Sequence, residues 1–222
     1  MKLAIFAATG GIGRQLLDQA IAAGHDVTAV VRNPKKLSSS DVRVVTADLA
    51  TADPVALRSA VDGADAVLSG LGPRSPSEFG IVHPGTRAIV QAMKATGVRR
   101  IVVVSASPLG TVPSPGRPDP RKHDPGDGFF MRHLLSPLTK AVLRRHYADL
   151  ARMEDLLRDS GLDWTISRPP YLSDKPLTGV YRTAYGQNLR RGLSISRADV
   201  AHHMLRVLDQ PETINQAIGI AY

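Results

Sequence analysis

The chain opens on an unbroken apolar run, Leu3-Ala4-Ile5-Phe6-Ala7-Ala8, with no polar alternation. A strand that is apolar at every position has to be covered on both faces, as in a parallel sheet flanked by helices. Directly after it, Ile12, Leu16, Leu17, Ala20 and Ile21 recur at helical spacing, and Gly24 supplies the stop. This exchange of periods then repeats. Strands are predicted at 27–31, 42–47, 65–70 and 100–105, with helices at 54–61 and 82–96, the second closed by Gly97. Short apolar runs alternating with helices of this length mean βαβ units and a parallel sheet. Right-handed crossovers then place helices on both of its faces.

After Ser107 the texture changes. Residues 108–128 hold Pro108, Pro113, Pro115, Pro118, Pro120 and Pro125, spaced by glycines, and read as a long irregular loop of the kind that forms lids or binding segments. A helical pattern resumes over 129–160 and stops at Ser160-Gly161. It is followed by a strand at 162–167, a β-rich stretch at 177–185, a helix at 197–208 and a last strand near 214–221. No internal repeat beyond the βα unit and no clean boundary appears. The expected fold is α/β, a doubly wound parallel sheet with helices on both faces, forming one domain over 1–222 with a small C-terminal annex. Within it, 108–128 is the proline-rich loop and 129–160 a helical segment on the substrate side.

Composition narrows the function classes. The absence of cysteine excludes disulfides, thiolate metal sites and a cysteine nucleophile. No apolar run approaches the ~20 residues that span a bilayer, and glycines cut the first one short of an export signal, so a cytoplasmic protein is expected. Lys and Arg number 28 against 20 Asp and Glu, a net charge of +8, which favours anionic partners by steering. Arg132, His133, Lys140, Arg144, Arg145, His146 and Arg152 read as a solvated helix face, or else as a docking surface or gate over the cleft. Neither a nucleic-acid module nor interleaved aromatics for base stacking is visible. The expected partner is a small-molecule substrate, with no nucleic acid and no membrane, in a monomer or homodimer. His202 and His203 are adjacent on a helix and diverge by about 100°, so no metal site is expected.

The sharpest motif is Thr9-Gly10-Gly11-Ile12-Gly13, between the first strand and the first helix. Glycines there permit a tight turn and close approach of a diphosphate to main-chain amides, with the helix N-terminus behind them. Ala7 stands where the first glycine of the dinucleotide fingerprint usually lies, which is tolerable while that residue is still in the strand. The second strand ends Val31-Arg32-Asn33-Pro34-Lys35-Lys36. It carries no carboxylate to accept from a ribose 2′-OH, and Arg32, with Lys36 nearby, suits a 2′-phosphate. The expected cofactor is therefore NADP(H). Asp48-Leu49, after the third strand, would line the adenine pocket, unless Asp48 only satisfies nearby backbone N–H groups. Gly70-Leu71-Gly72-Pro73, after the fourth strand, would leave backbone room beside the nicotinamide, with Gly72 in the cofactor set, or simply form a turn.

With these residues in view, the chain resembles the atypical short-chain dehydrogenase/reductases with an NmrA-like, NAD(P)H-binding Rossmann domain, most of all the biliverdin-IXβ reductase/flavin reductase group. The resemblance covers nearly the whole chain. It rests on Ala8-Thr9-Gly10-Gly11-Ile12-Gly13, Val31-Arg32-Asn33, Val98-Arg99-Arg100-Ile101-Val102, Gly161-Leu162-Asp163-Trp164 with Arg168-Pro169-Pro170, and Asp174-Lys175-Pro176-Leu177-Thr178-Gly179. It implies that Thr9, Gly10 and Gly13 hold the diphosphate, Arg32 the 2′-phosphate and Asp48-Leu49 the adenine side. Ser105, Ser107 and the Pro169-Pro170 turn would flank the nicotinamide.

The chain departs from that group at the chemistry. Leu150 and Tyr171 stand where flavin reductases place pocket histidines. The Tyr-x-x-x-Lys pair of conventional short-chain dehydrogenases is absent, since Ala151 follows Tyr147 by four. Hydride transfer to a flavin, quinone or tetrapyrrole can draw its proton late from solvent, whereas a ketone or enone needs a donor within hydrogen-bond reach. The candidates are Tyr171, Ser105, Ser107, Tyr147 and His146. The expected activity is NADPH-dependent reduction of a small aromatic or conjugated acceptor. The alternatives are a non-catalytic NADP(H) sensor and an isomerase or epimerase using the cofactor transiently.

Overall fold

The computed structural model describes residues 1–37, 42–51, 53–128 and 136–222. Its first strand, β1 (Lys2–Phe6), shows why the opening run is apolar throughout. Ala4 and Phe6 face one hydrophobic cluster, while Leu3 and Ile5 face a second on the other side of the sheet. Helix α1 (Gly11–Ala22) follows, then β2 (Asp26–Val31), β3 (Arg43–Thr46), α2 (Pro54–Val61), β4 (Ala66–Ser69), α3 (Val82–Thr96) and β5 (Arg100–Val104). The Asp53 carboxylate accepts from the Val55 amide at the start of α2, with Pro54 in the first turn. Gly97, in the left-handed region at φ 77°, ends α3.

The second half adds α4 (Ser136–Val142), α5 (Arg144–Arg158), β6 (Asp163–Arg168), β7 (Tyr171–Ser173), β8 (Arg182–Tyr185), β9 (Ser194–Ser196), α6 (Arg197–Arg206) and β10 (Gln216–Ala221). The main sheet runs β3-β2-β1-β4-β5-β6-β10-β8, parallel except for β8, which lies antiparallel to β10. Helices α1 and α6 pack together on one face, and α2, α3 and α5 on the other. The order 3-2-1-4-5-6 is that of a dinucleotide-binding sheet, whose crevice opens beyond the carboxyl ends of the strands where the winding reverses, here between β1 and β4.

Three expectations need adjusting. The helical pattern over 129–160 is divided at Leu143 (φ −101°, ψ 21°) into α4 and α5, and its portion 129–135, with Arg132 and His133, lies outside the described residues. Of the β-rich stretch 177–185 only β8 is a strand, because the Thr178 and Gly179 amides donate to the Asp199 carboxylate at 3.1 and 2.8 Å instead of to a ladder. The C-terminal segment extends the main sheet with β10 and β8, and pairs β7 with β9 in a separate parallel ribbon.

Candidate functional site

The glycine loop is built around one carbonyl. The Ala7 oxygen accepts from the Gly10 amide at 2.8 Å, and a Cβ on Gly13 would sit 2.0 Å from that oxygen. No side chain fits there. Ala7 itself is not in the strand, as the sequence reading required: β1 ends at Phe6, and Ala7 has φ 56°, a left-handed conformation that costs a non-glycine residue about 1–2 kcal/mol. Across the crevice, a Cβ on Gly70 would lie 2.9 Å from the Gly13 amide nitrogen, whereas one on Gly72 would meet nothing within 4 Å. Of the two glycines in the segment after β4, it is therefore Gly70 that lets the strand approach the loop.

A cleft of about 570 Å³ opens over this loop. It gathers Thr9, Gly10, Gly11, Ile12, Arg32, Asp48, Leu49, Gly72 and Ser105 from the sequence-based set. Asp48 plays the local part as well, accepting from the Ala50 amide at 3.0 Å. Gly13 lies beneath the cleft wall. Lys36 sits in the short helical turn Pro34–Lys36, outside the cleft lining.

The Arg32 guanidinium is not alone. Its terminal nitrogen is 3.0 Å from one oxygen of Glu78, and the other oxygen accepts from the Arg74 amide at 2.8 Å. The Arg74 side chain in turn donates to the Thr9 hydroxyl at 3.1 Å. The Arg74 amide and the Arg32 side chain together hold the Glu78 carboxyl below its ordinary range. On the other side of the loop, the Arg197 side chain lies where a Cβ on Gly11 would fall, and it pairs with Asp174 at 2.6 Å. Arg74, Glu78 and Arg197 were missed by the sequence reading, because only the fold brings the β4 loop and the start of α6 to the glycines.

Beyond the cleft lies a second cavity of about 780 Å³, sharing Ser105, His146, Leu172 and Arg197 with it. Ser107, Tyr147, Pro169, Pro170 and Tyr171 line this second space; Pro169 and Pro170, expected at the cofactor, do not reach the first. The Tyr171 ring is 75% exposed, at the rim. Tyr147 is buried, and burial pushes its phenol above the ordinary value, partly offset by a hydrogen bond with Thr139. The Ser105 hydroxyl donates to Glu154 at 2.8 Å, which directs its proton away from either cavity. Glu154 is fully buried between Arg168 (Nε to oxygen, 2.9 Å) and Arg158 (2.8 Å). Burial opposes its ionisation, yet the two guanidiniums and the serine hold it below the usual carboxylate value.

His146 corrects the reading of a solvated basic face. Arg144 and Arg145 are exposed, but the His146 ring turns inward and stacks on Phe79 at 5.4 Å. Its Nδ1 is shielded from solvent without a hydrogen-bond partner among the described residues. Burial, against the attraction of Asp149, depresses its pKa and keeps the ring neutral. In α6 the two histidines also diverge: His202 meets the Tyr181 hydroxyl at 2.8 Å and His203 the Ser167 hydroxyl at 3.0 Å.

A bend with no room for side chains, arginines on either side and a reversal of winding beneath it match the demands of a dinucleotide diphosphate. The NAD(P)H-binding family profile matches residues 7–211. The chain belongs to that NAD(P)H-binding family. YhfK of Bacillus subtilis, named an uncharacterized sugar epimerase, is 28% identical over 227 residues, spanning 99% of this chain and 94% of that protein. Among solved structures, ChuY of Escherichia coli O157:H7, described as an anaerobillin reductase, has a TM-score of 0.77 at 23% identity, covering 100% of this chain and 97% of its own. A wide-type short-chain dehydrogenase/reductase of Veillonella parvula in complex with NADP also gives 0.77, at 21% identity, over 100% of this chain and 94% of that one. The family resemblance and the Rossmann-like α/β fold read from the sequence are borne out. Among the described residues, no helix is long and apolar enough to cross a membrane.

Proposed function

We propose that the protein is an NADPH-dependent reductase of a planar, conjugated acceptor. The observation that carries this reading is the junction of two cavities. The first fits the nucleotide by its glycine bend and its cations, and the second offers mostly apolar surface with polar side chains, Arg168, Arg190, Arg191 and Arg197 among them, set into it. Thr9, Gly10 and Gly13 would hold the diphosphate with Arg74 beside Thr9, Arg32 the 2′-phosphate, and Asp48-Leu49 the adenine side. When bound, the reduced nicotinamide supplies a hydride, which is the cofactor's own chemistry.

The chain's residues do the rest. Ser105, its proton committed to Glu154, presents lone pairs at the junction and orients a ligand as an acceptor. His146, held neutral by burial, lines both cavities there, and Tyr147 keeps its proton at neutral pH and can protonate an oxyanion in the second cavity. Tyr171 forms the rim. The name of YhfK raises an epimerase reading, but Tyr147 lacks a lysine partner because Ala151 occupies that place. The test is NADPH consumption across a panel of flavin mononucleotide, menadione, biliverdin and simple enones, with NADPH binding measured alongside. Turnover with at least one acceptor is expected. Binding without turnover on every acceptor would replace this reading with that of a non-catalytic sensor, and conversion of an epimerisable sugar nucleotide without net redox change would replace it with that of an epimerase.

A further inference from the structure

We infer that Glu78 sets the choice between the two pyridine nucleotides, by holding the position that a 2′-phosphate needs. This rests on the nucleotide reading of the cleft. The Glu78 carboxylate bridges the Arg32 side chain (3.0 Å) and the Arg74 amide (2.8 Å). It behaves as a built-in anion, seated between the Arg32 side chain at the end of β2 and the main chain of Arg74. Its own surroundings favour the charged form, through the Arg74 amide first and Arg32 second.

A dianionic phosphate arriving at Arg32 meets this carboxylate on the same guanidinium. Either the phosphate shares Arg32 with a neighbouring negative charge, or Glu78 withdraws and gives up both of its contacts. Like charges brought together across a binding surface cost appreciable free energy. A ribose with a free 2′-OH faces no such conflict. It leaves the Arg32–Glu78 pair intact and can donate to the carboxylate, the role an acidic residue plays in NAD-selective folds. Arg32 thus pulls toward NADPH while Glu78 narrows the margin. The motif Arg32-Asn33 alone, with no carboxylate near it in sequence, does not reveal this.

Calorimetric titration of the full chain and its Glu78→Gln variant, with NADPH, NADH, adenosine 2′,5′-bisphosphate and 5′-AMP, tests the inference. Glutamine keeps the shape and one acceptor while removing the charge. The variant is expected to bind NADPH and the bisphosphate roughly tenfold more tightly, with NADH and 5′-AMP unchanged or weaker. The gain should shrink in high salt, because the groups are at the surface, and vanish in Arg32→Ala/Glu78→Gln. An unchanged NADPH-to-NADH ratio, or weaker NADPH binding because Arg32 has lost its orientation, overturns the role of Glu78 and leaves the cleft as a nucleotide site. If the unaltered chain binds none of the four probes, the nucleotide reading itself falls. Thermal melts confirm that the variants are folded.

Discussion

The two cavities are specified in different ways. Around the nucleotide cleft the decisive groups are main-chain atoms and missing side chains: the Ala7 carbonyl, the space over Gly13, and the approach of Gly70. Around the second cavity they are long side chains from distant segments, with Glu154 from α5, Arg168 from β6 and Ser105 from the end of β5 meeting in one buried network. Backbone shape carries recognition of a diphosphate, which is the same for every substrate a fold of this kind serves. Side-chain chemistry carries whatever differs between acceptors. The cleft thus depends on backbone shape, and the cavity on side chains brought in from several elements.

That contrast can be broken one half at a time. Gly13→Ala should do the greatest damage. Its methyl carbon has no position that avoids the Ala7 carbonyl, so stability should fall by upward of about 3 kcal/mol and nucleotide binding should disappear from calorimetry. Comparable loss is expected on the other side from Glu154→Ala, which strands the buried Arg168 charge and should cost about 3–5 kcal/mol in urea unfolding. Replacing both partners, as Glu154→Leu with Arg168→Met, should lose much less than the single change. If the double variant is as unstable as the single one, the network does more than neutralise a charge.

The same contrast has a pH signature. His203 is buried under β6, and burial, with repulsion from Arg206 and His202, lowers its pKa to about 4. The unfolded chain takes up this proton near pH 6.5 and the folded one does not. Stability is therefore complete above pH 6.5 and declines by roughly 3 kcal/mol as pH falls to about 4. His203→Gln should flatten that slope in unfolding measured across the range. The Glu154 contribution runs in a lower window: it is present above the ordinary carboxylate value and lost as pH falls through its depressed one. The smallest effect belongs to Ala7→Gly. Relief of the left-handed alanine should slightly exceed the added backbone freedom, for a gain of about 0.5–1 kcal/mol in melting experiments, with nucleotide binding retained.

Much of the fold was legible because the relevant information is local. The spans 54–61 and 82–96 coincide with α2 and α3, where a capping Asp53 before Pro54 and a terminal Gly97 mark the ends. The glycine bend was legible for the same reason, since Gly10 and Gly13 act on a carbonyl a few residues away. Arg32 was visible as a cation at a strand end, but its partner Glu78 is 46 residues on, and no spacing rule joins them. His146 was misjudged because its neighbours Arg144 and Arg145 are polar and exposed, while the side chain one step further round the helix meets Phe79. Three-residue strands such as β7 and β9 carry too few positions to show a period at all.

The proline-rich segment is stitched to the turn after β8. The buried Asp124 carboxylate accepts from the Asn188 amide at 2.8 Å and from the Gly126 amide at 2.9 Å, and Asp127 accepts from the Asn188 side chain at 2.9 Å. Gly126 has no room for a Cβ against the Asn188 carbonyl. Two stretches more than sixty positions apart in the chain are thereby tied together on one wall of the second cavity. One change at Asp124 would therefore unsettle both strips at once, since the same carboxylate oxygen serves an amide in each.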